Sequence, residues 1–382
     1  MHRPVRFVAA ALIVTAAAAT AQNPPTGSLG RPDATFPEPI TSPTGIRALD
    51  ANRVIVADNI EGTLGIFDFR SGQITPIGRQ GEGPGEFGMP GALYAARGDT
   101  TYMMDMGNRR LLVVTPSGIS SATIQLQHPA GWPVIPRGVD AEGRIYFDLA
   151  GIQMASLNEV AASGRAPVLR WDPATNRTDT LTFVAFPPLP AVGPGETRIT
   201  MGGGPYRPRD EWTVLPDGRV GVARAADYRV EWSGSGSSVA GPPVPYDPVR
   251  VGTAEKDAWA DQMAARGVMV EVVNGQRRAR RAPRPDISQV QWPDVMPPFS
   301  GFGAVRASLT GELWALRSGP ARESTRKYDV FDARGRLTAR VTLEGDRFIL
   351  GFGPGVAFVG YTDDDDLVWI ERYPLPAPRR QT

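Results

Sequence analysis

GRQGEGPGEFGMPGALYAARGDTTYMMDMGNRRLLVVTPSG, residues 78–118, decides the reading of the chain. A glycine-proline loop at 81–87 leads into a short apolar segment at 91–96. A turn at Arg97, Gly98 and Asp99 precedes an apolar strand at 101–104. Asp105, Asn108 and Arg109 then occupy a second tight turn, and a strand at 111–115 ends on Pro116, Ser117 and Gly118. Strand signals about ten residues apart, with turn chemistry between them, predict one small antiparallel sheet.

The same order of signals recurs six times. Alternating apolar strands follow a glycine or polar turn at 53–57, 101–104, 144–147, 219–223, 312–316 and 356–361. A second strand follows each, at 64–69, 111–115, 168–172, 228–232, 328–332 and 367–373. Units of about 40 residues that need neighbours to cover their apolar faces predict sheets stacked radially around an axis. The expected fold is therefore all-β, a six-bladed β-propeller in one domain over residues 23–376, with seven blades as the alternative. The last unit has room for three strands only, while ATFPEPI, residues 34–40, stands alone ahead of the first unit. Pro37 and Pro39 lack donors that a central strand needs but suit an outermost one. The segment is expected to complete blade six and close the ring, with Phe36, Glu38 and Ile40 facing one way.

The 78–118 unit resembles the NHL repeat, one blade of an NHL or TolB-like propeller. The signature G-x-G-x-G-P-G-x-F is met at Gly81, Gly83, Pro84, Gly85 and Phe87, with Arg79 where the first glycine stands. The later D-x-G-N-x-R is met at Asp105, Gly107, Asn108 and Arg110. The resemblance implies a fold and no activity. Beyond the first two units it rests on period and spacing.

Residues 1–22 read as an export signal: Arg3 and Arg6, an apolar run at 7–19, and Ala19-Thr20-Ala21 before Gln22. The run is too short to span a bilayer, and the chain has no cysteine for a disulfide or a lipid anchor. The expected location is the periplasm or the extracellular space, with no transmembrane segment. The chain carries a net charge of +1, and losing Arg3 and Arg6 with the signal leaves −1. A charge-mixed, near-neutral protein of this kind argues against nucleic acid as partner. A monomer is expected, with residues 377–382 a disordered tail.

Three insertions break the period, at 151–165, 187–209 and 252–298. The third predicts a helix capped by Thr253, with Glu255 and Asp257 at its positive end and Gly267 as its stop. Trp259 and Met263 give that helix one narrow apolar face. A hairpin with a type I′ turn at Asn274-Gly275 follows. Helix and hairpin are expected to fold over the ring as a loosely attached partial lid.

Loops from second to third strands and from blade to blade emerge on the same face of a propeller, and all three insertions belong to those loops. That face is the expected binding surface. Its candidate residues are Asp58, Asn59, Asp105, Asn108, Arg109, Asp148, Arg224, Arg317 and Tyr361. A histidine-rich zinc site is disfavoured, because only His2 and His128 exist and His2 leaves with the signal. A Ca²⁺ site of oxygen ligands at Asp58, Asp105 and Asp148 would resemble the gluconolactonase-like propellers, but their Glu and Asn ligand pattern is absent. The acidic run at 363–366 lacks calcium-loop spacing and reads as a solvated hairpin turn. Arg277, Arg278, Arg280, Arg281 and Arg284 read as an exposed strand with solvated ends. No nucleophile elbow or phosphate loop with lysine is present, so no catalytic residue is expected. Two functions follow: a non-catalytic binding or scaffold module for a peptide, glycan or partner protein, without cofactor; or a Ca²⁺-dependent hydrolase, lactonase or lyase.

Overall fold

The computed structural model describes residues 24–199, 204–234, 236–273, 276–301 and 303–375. The expected export signal, the 377–382 tail and the Asn274-Gly275 turn lie outside them. Six sheets, five of four strands and one of five, form the blades of a propeller. From the axis outward, blade one is Pro43–Ala48, Arg53–Asp58, Thr63–Asp68 and Gln73–Pro76. Blade two is Pro90–Ala95, Thr101–Asp105, Arg110–Thr115 and Gly118–Gln125; blade three is Gly138–Val139, Ile145–Asp148, Arg165–Asp172 and Arg177–Ala185. Blade four is Glu211–Val214, Val220–Arg224, Arg229–Gly234 and Ser237–Ala240; blade five is Val305–Ala307, Leu313–Leu316, Arg326–Phe331 and Leu337–Leu343. Blade six is Arg347–Gly353, Val356–Thr362 and Val368–Pro374, and its outermost strand is Ala34–Thr35.

The second strands depart from alternation. Val54 to Ala57, Ile145 to Phe147 and Ala357 to Val359 are buried at every position. Each blade is covered by a neighbour on both sides, so its middle strands need apolar residues on both faces. The apolar clusters fill the interfaces between successive blades; one joins Ile55 and Ala57 to Met103 and Leu112, another joins Phe358 and Ile370 to Val54 and Phe67. Toward the axis the strands crowd. A side chain at Gly45 would meet the backbone of Leu93 and Gly91 at 2.7 and 2.8 Å, so only glycine lets blade one approach blade two there.

The ring closes as the prolines predict. Ala34–Thr35 pairs antiparallel with Val368–Pro374, and Ile40 bridges to Val368. Phe36 and Ile40 are buried, but Glu38 is exposed because the chain bends at Pro37-Glu38 and breaks the alternation. One strand was not legible: Thr26–Ser28 adds in parallel to Leu337–Leu343, giving blade five a fifth strand. The N-terminal segment thus spans blades five and six.

The insertions carry their own structure. Ile152–Met154 pairs with Thr197–Ile199, linking the first insertion to the second, and a short helix, Asn158–Ser163, follows the former. The third holds the helix Thr253–Arg266 and the hairpin Val268–Val273 with Gln276–Arg281. The cap is Gly252, whose N–H donates to the Glu255 carboxylate at 3.0 Å. The hairpin stands apart from the blades as a separate two-stranded sheet. Among the described residues no helix is long and apolar enough to cross a membrane.

Candidate functional site

The glycine-proline loop and the D-x-G-N-x-R turn of blade two hold each other. Asp105 is fully buried and accepts from the N–H groups of Gly88, Met89 and Asn108, from the Asn108 side-chain amide at 2.9 Å and from Arg110 at 3.1 Å. Asn108 also donates to the Gly81 carbonyl, and Arg110 to the Glu86 carbonyl at 2.9 Å. The D-x-G-N-x-R turn therefore clamps the glycine-proline loop that enters its own blade. Gly107 is required between them, since a Cβ there would meet the Gly88 backbone at 2.8 Å. Asp58 makes the same joint in blade one, accepting from Ser42, Ile60 and Glu61 N–H groups. Blade four reverses the polarity: Asp210, on the incoming chain, accepts from Ala225 N–H, Ala185 N–H and Arg224.

The candidate residues thus sit at equivalent corners of successive blades, and the structure engages most of them internally. Arg224 is shared by Asp210 and Glu231 at 2.8 and 2.6 Å. Arg317 lies 3.7 Å from Asp329, and Arg347 covers the Tyr361 ring at 4.7 Å. Arg109 is exposed at positive φ, and buried Asn59 leaves its side-chain oxygen without a hydrogen bond among the described residues. The three carboxylates considered for Ca²⁺ do not converge. Among the described residues no group of three or more His, Asp or Glu side chains is placed to hold a metal ion.

Asp148 belongs to a buried ionic quartet that its sequence position did not reveal. Its carboxylate meets Arg137 at 3.1 Å, Arg209 at 3.9 Å and the Trp212 indole N–H at 2.7 Å. Arg137 also meets Glu211 at 2.5 Å, and Arg209 meets Glu211 at 3.3 Å. Burial alone would raise the Asp148 carboxyl, but Arg137, Arg209 and the indole N–H outweigh it and hold it below the ordinary carboxylate range. Two cations and two anions cancel, so the quartet pins blade three to blade four.

The loop-rich face itself is roofed by the third insertion. Tyr206 donates to the Glu255 carbonyl at 2.9 Å, and Arg207 donates to Gln291 at 2.9 Å, which fastens the second insertion to the third. Glu255 accepts from Ala321 N–H, on the second-to-third-strand loop of blade five. On the far side Arg281 reaches the Thr41 carbonyl at 2.6 Å and the Asp366 carbonyl at 3.2 Å, at the seam between blades six and one. Arg284 pairs with Asp257 and Asp261 of the helix at 2.8 and 2.7 Å. Arg281 is thus a fastener to the ring, not a solvated strand end, whereas Arg284 stays exposed and ties the insertion to its own helix. The 363–366 run is a hairpin turn as expected, with Asp363 accepting from Leu367 N–H and the Trp369 indole.

The helix docks through Ala260 and Trp259, whose ring meets Trp292 edge-on at 5.3 Å. Met263 does not share that contact and stays 36% exposed, because the face turns outward one turn after Trp259. Where the second and third insertions meet, Phe186, Pro187, Arg207, Pro208, Trp292 and Pro293 line an apolar cleft of about 400 Å³. None of these had a local signal in the sequence; the cleft joins residues more than a hundred positions apart.

No family model matches the chain, and no curated protein matches it. Solved structures similar to it include a member of the DUF4221 family from Bacteroides vulgatus, at 10% identity over 91% of this chain and 96% of that one, with a TM-score of 0.45. A gluconolactonase from Xanthomonas campestris is similar at 13% identity, 91% of each chain and TM-score 0.43. Virginiamycin B lyase from Staphylococcus aureus is similar at 12% identity, 90% of this chain, 98% of that one and TM-score 0.40. Likenesses this distant bring no ligand or activity to this chain.

Proposed function

We propose that this propeller is an exported, non-catalytic binding module that takes an extended peptide, a glycan or a partner protein on its loop-rich face. The observation that carries the reading is the cleft where the second and third insertions meet, lined by Phe186, Pro187, Arg207, Pro208, Trp292 and Pro293. Prolines and aromatic rings present flat apolar surfaces on which a proline or a sugar ring stacks without ordering flexible side chains. The competing hydrolase or lyase reading would need Asp58, Asp105 and Asp148 as ligands, and these already accept internal hydrogen bonds. The test is a peptide and glycan array probed with purified protein and with Trp292→Ala. Binders that lose about tenfold or more in affinity with the variant, at unchanged circular dichroism, support the reading. Stoichiometric, tightly held Ca²⁺ together with hydrolysis of a lactone or ester would replace it.

A further inference from the structure

The innermost strands of all six blades enclose an axial channel of about 440 Å³. Its wall runs from Pro43 and Pro136 at the loop-rich end to Pro216 and Leu309 at the other. Among the described residues no Asp or Glu lines it, but two arginines do. Arg137 is neutralised by Asp148 and Glu211. Arg306, on the innermost strand of blade five, has no carboxylate partner among the described residues; only the Tyr328 phenol acts on it electrostatically.

Arg137, Arg209 and Arg224 each meet an acid, and buried Arg47, which pairs with none among the described residues, donates to the Gly98 carbonyl and does not line the channel. Arg306 is exposed to the water of the channel, and the protein packed around the channel draws its guanidinium below the ordinary value. It keeps its proton at neutral pH all the same. A fixed positive charge in a narrow channel without a counter-charge attracts anions, because the low-dielectric walls leave its field poorly screened. We propose that the axial channel binds a small organic anion through its carboxylate or phosphate group, held by the planar fork of Arg306. The volume suits a molecule the size of a tricarboxylic acid or a sugar phosphate. No described residue of the 252–298 insertion lines the channel, which reaches the opposite face at Pro216 and Leu309, so this site is separate from the loop-face cleft.

The experiment is isothermal titration of the intact protein with citrate and, separately, inorganic phosphate, each against sodium chloride at matched ionic strength. At least one anion is expected to bind saturably above the chloride control, and the one that responds identifies carboxylate or phosphate as the group. Arg306→Gln should weaken it by about tenfold or more, while Arg306→Lys, which keeps the charge without the fork, should retain part of the affinity. Arg306 anchors no acid, so the Gln variant is expected to fold; an unchanged unfolding midpoint checks this. Should it not fold, Thr213→Glu decides, since it places a carboxylate in the channel wall and should abolish binding. Absence of anion binding in the unaltered protein, or undiminished binding in whichever of these two variants folds, overturns the proposal.

Discussion

Asp105 accepts five hydrogen bonds while wholly buried. Asp105→Ala is expected to destabilise the protein by about 3–5 kcal/mol, because Arg110 and three N–H groups lose their acceptor. Urea unfolding followed by fluorescence measures this, and a loss below about 1 kcal/mol would mean that water replaces the carboxylate. His128 offers a pH test. Its ring stacks on Trp132 at 4.9 Å, Nδ1 accepts from Ala130 N–H, and Nε2 lies 2.7 Å from the Thr178 hydroxyl. With Nδ1 accepting, the ring is neutral and Nε2–H donates. Burial lowers its pKa below the ordinary value, so its contribution is complete above about pH 6.5 and fades as pH falls through that value toward the folded one. The unfolding midpoint should therefore drop as pH falls below about 6.5, and drop less in His128→Gln. Equal slopes for the two proteins would remove His128 as the cause. Asp105 was visible in the sequence because its D-x-G-N-x-R turn has fixed spacing, and Asp58 and Asp148 because they follow the second strands of their units. Their roles were not: Asp58, Asp105 and Asp148 look alike along the chain, and only the fold separates two backbone caps from a member of an ionic quartet.

The 252–298 element shows what local sequence does and does not specify. Its helix and hairpin follow from capping, acid placement and a two-residue loop, all local. Its docking follows from Arg281, Tyr206 and Trp292, whose partners lie up to 240 positions away. No periodicity announces those contacts. Arg281 is the far fastener, donating to carbonyls of Thr41 and Asp366. Arg281→Ala should therefore loosen the hairpin and leave the ring intact. Hydrogen exchange is expected to quicken across 252–298, with blade amides unchanged and the unfolding midpoint moved by less than a few degrees. Exchange that quickens in blades six and one as well would show that the hairpin supports the ring. Removing 253–293 through a short Gly-Ser linker carries the argument further: cooperative unfolding should persist while loop-face binding weakens. Loss of folding in that deletion would place the element in the core.

At the scale of the whole molecule, ring closure depends on a segment that precedes blade one and pairs with blade six. The 33–40 segment donates to blade six from Asp33, Phe36 and Ile40 N–H groups at 2.8 to 2.9 Å, and Asp33 pairs with Arg372 at 2.8 Å. Phe36 is its anchor, buried against Phe67 at 4.7 Å and Phe69 at 5.5 Å on blade one. One side chain on the last blade thus packs on the first, which is what a closed ring requires of its seam. Two changes separate packing from edge protection. Phe36→Ala removes the anchor but leaves the backbone pairing, so it should cost about 3–5 kcal/mol while the protein keeps its association state. Deleting 24–40 also uncovers Val368–Pro374, a strand whose edge groups then seek another chain. That deletion should produce concentration-dependent association in light scattering, together with the lower midpoint. The N-terminal strand Thr26–Ser28 makes the effect larger, since its removal uncovers Leu337–Leu343 of blade five at the same time. A deleted protein that shows the same association and the same midpoint as the intact one would mean that three strands suffice for blade six and that the seam holds without the N-terminal segment.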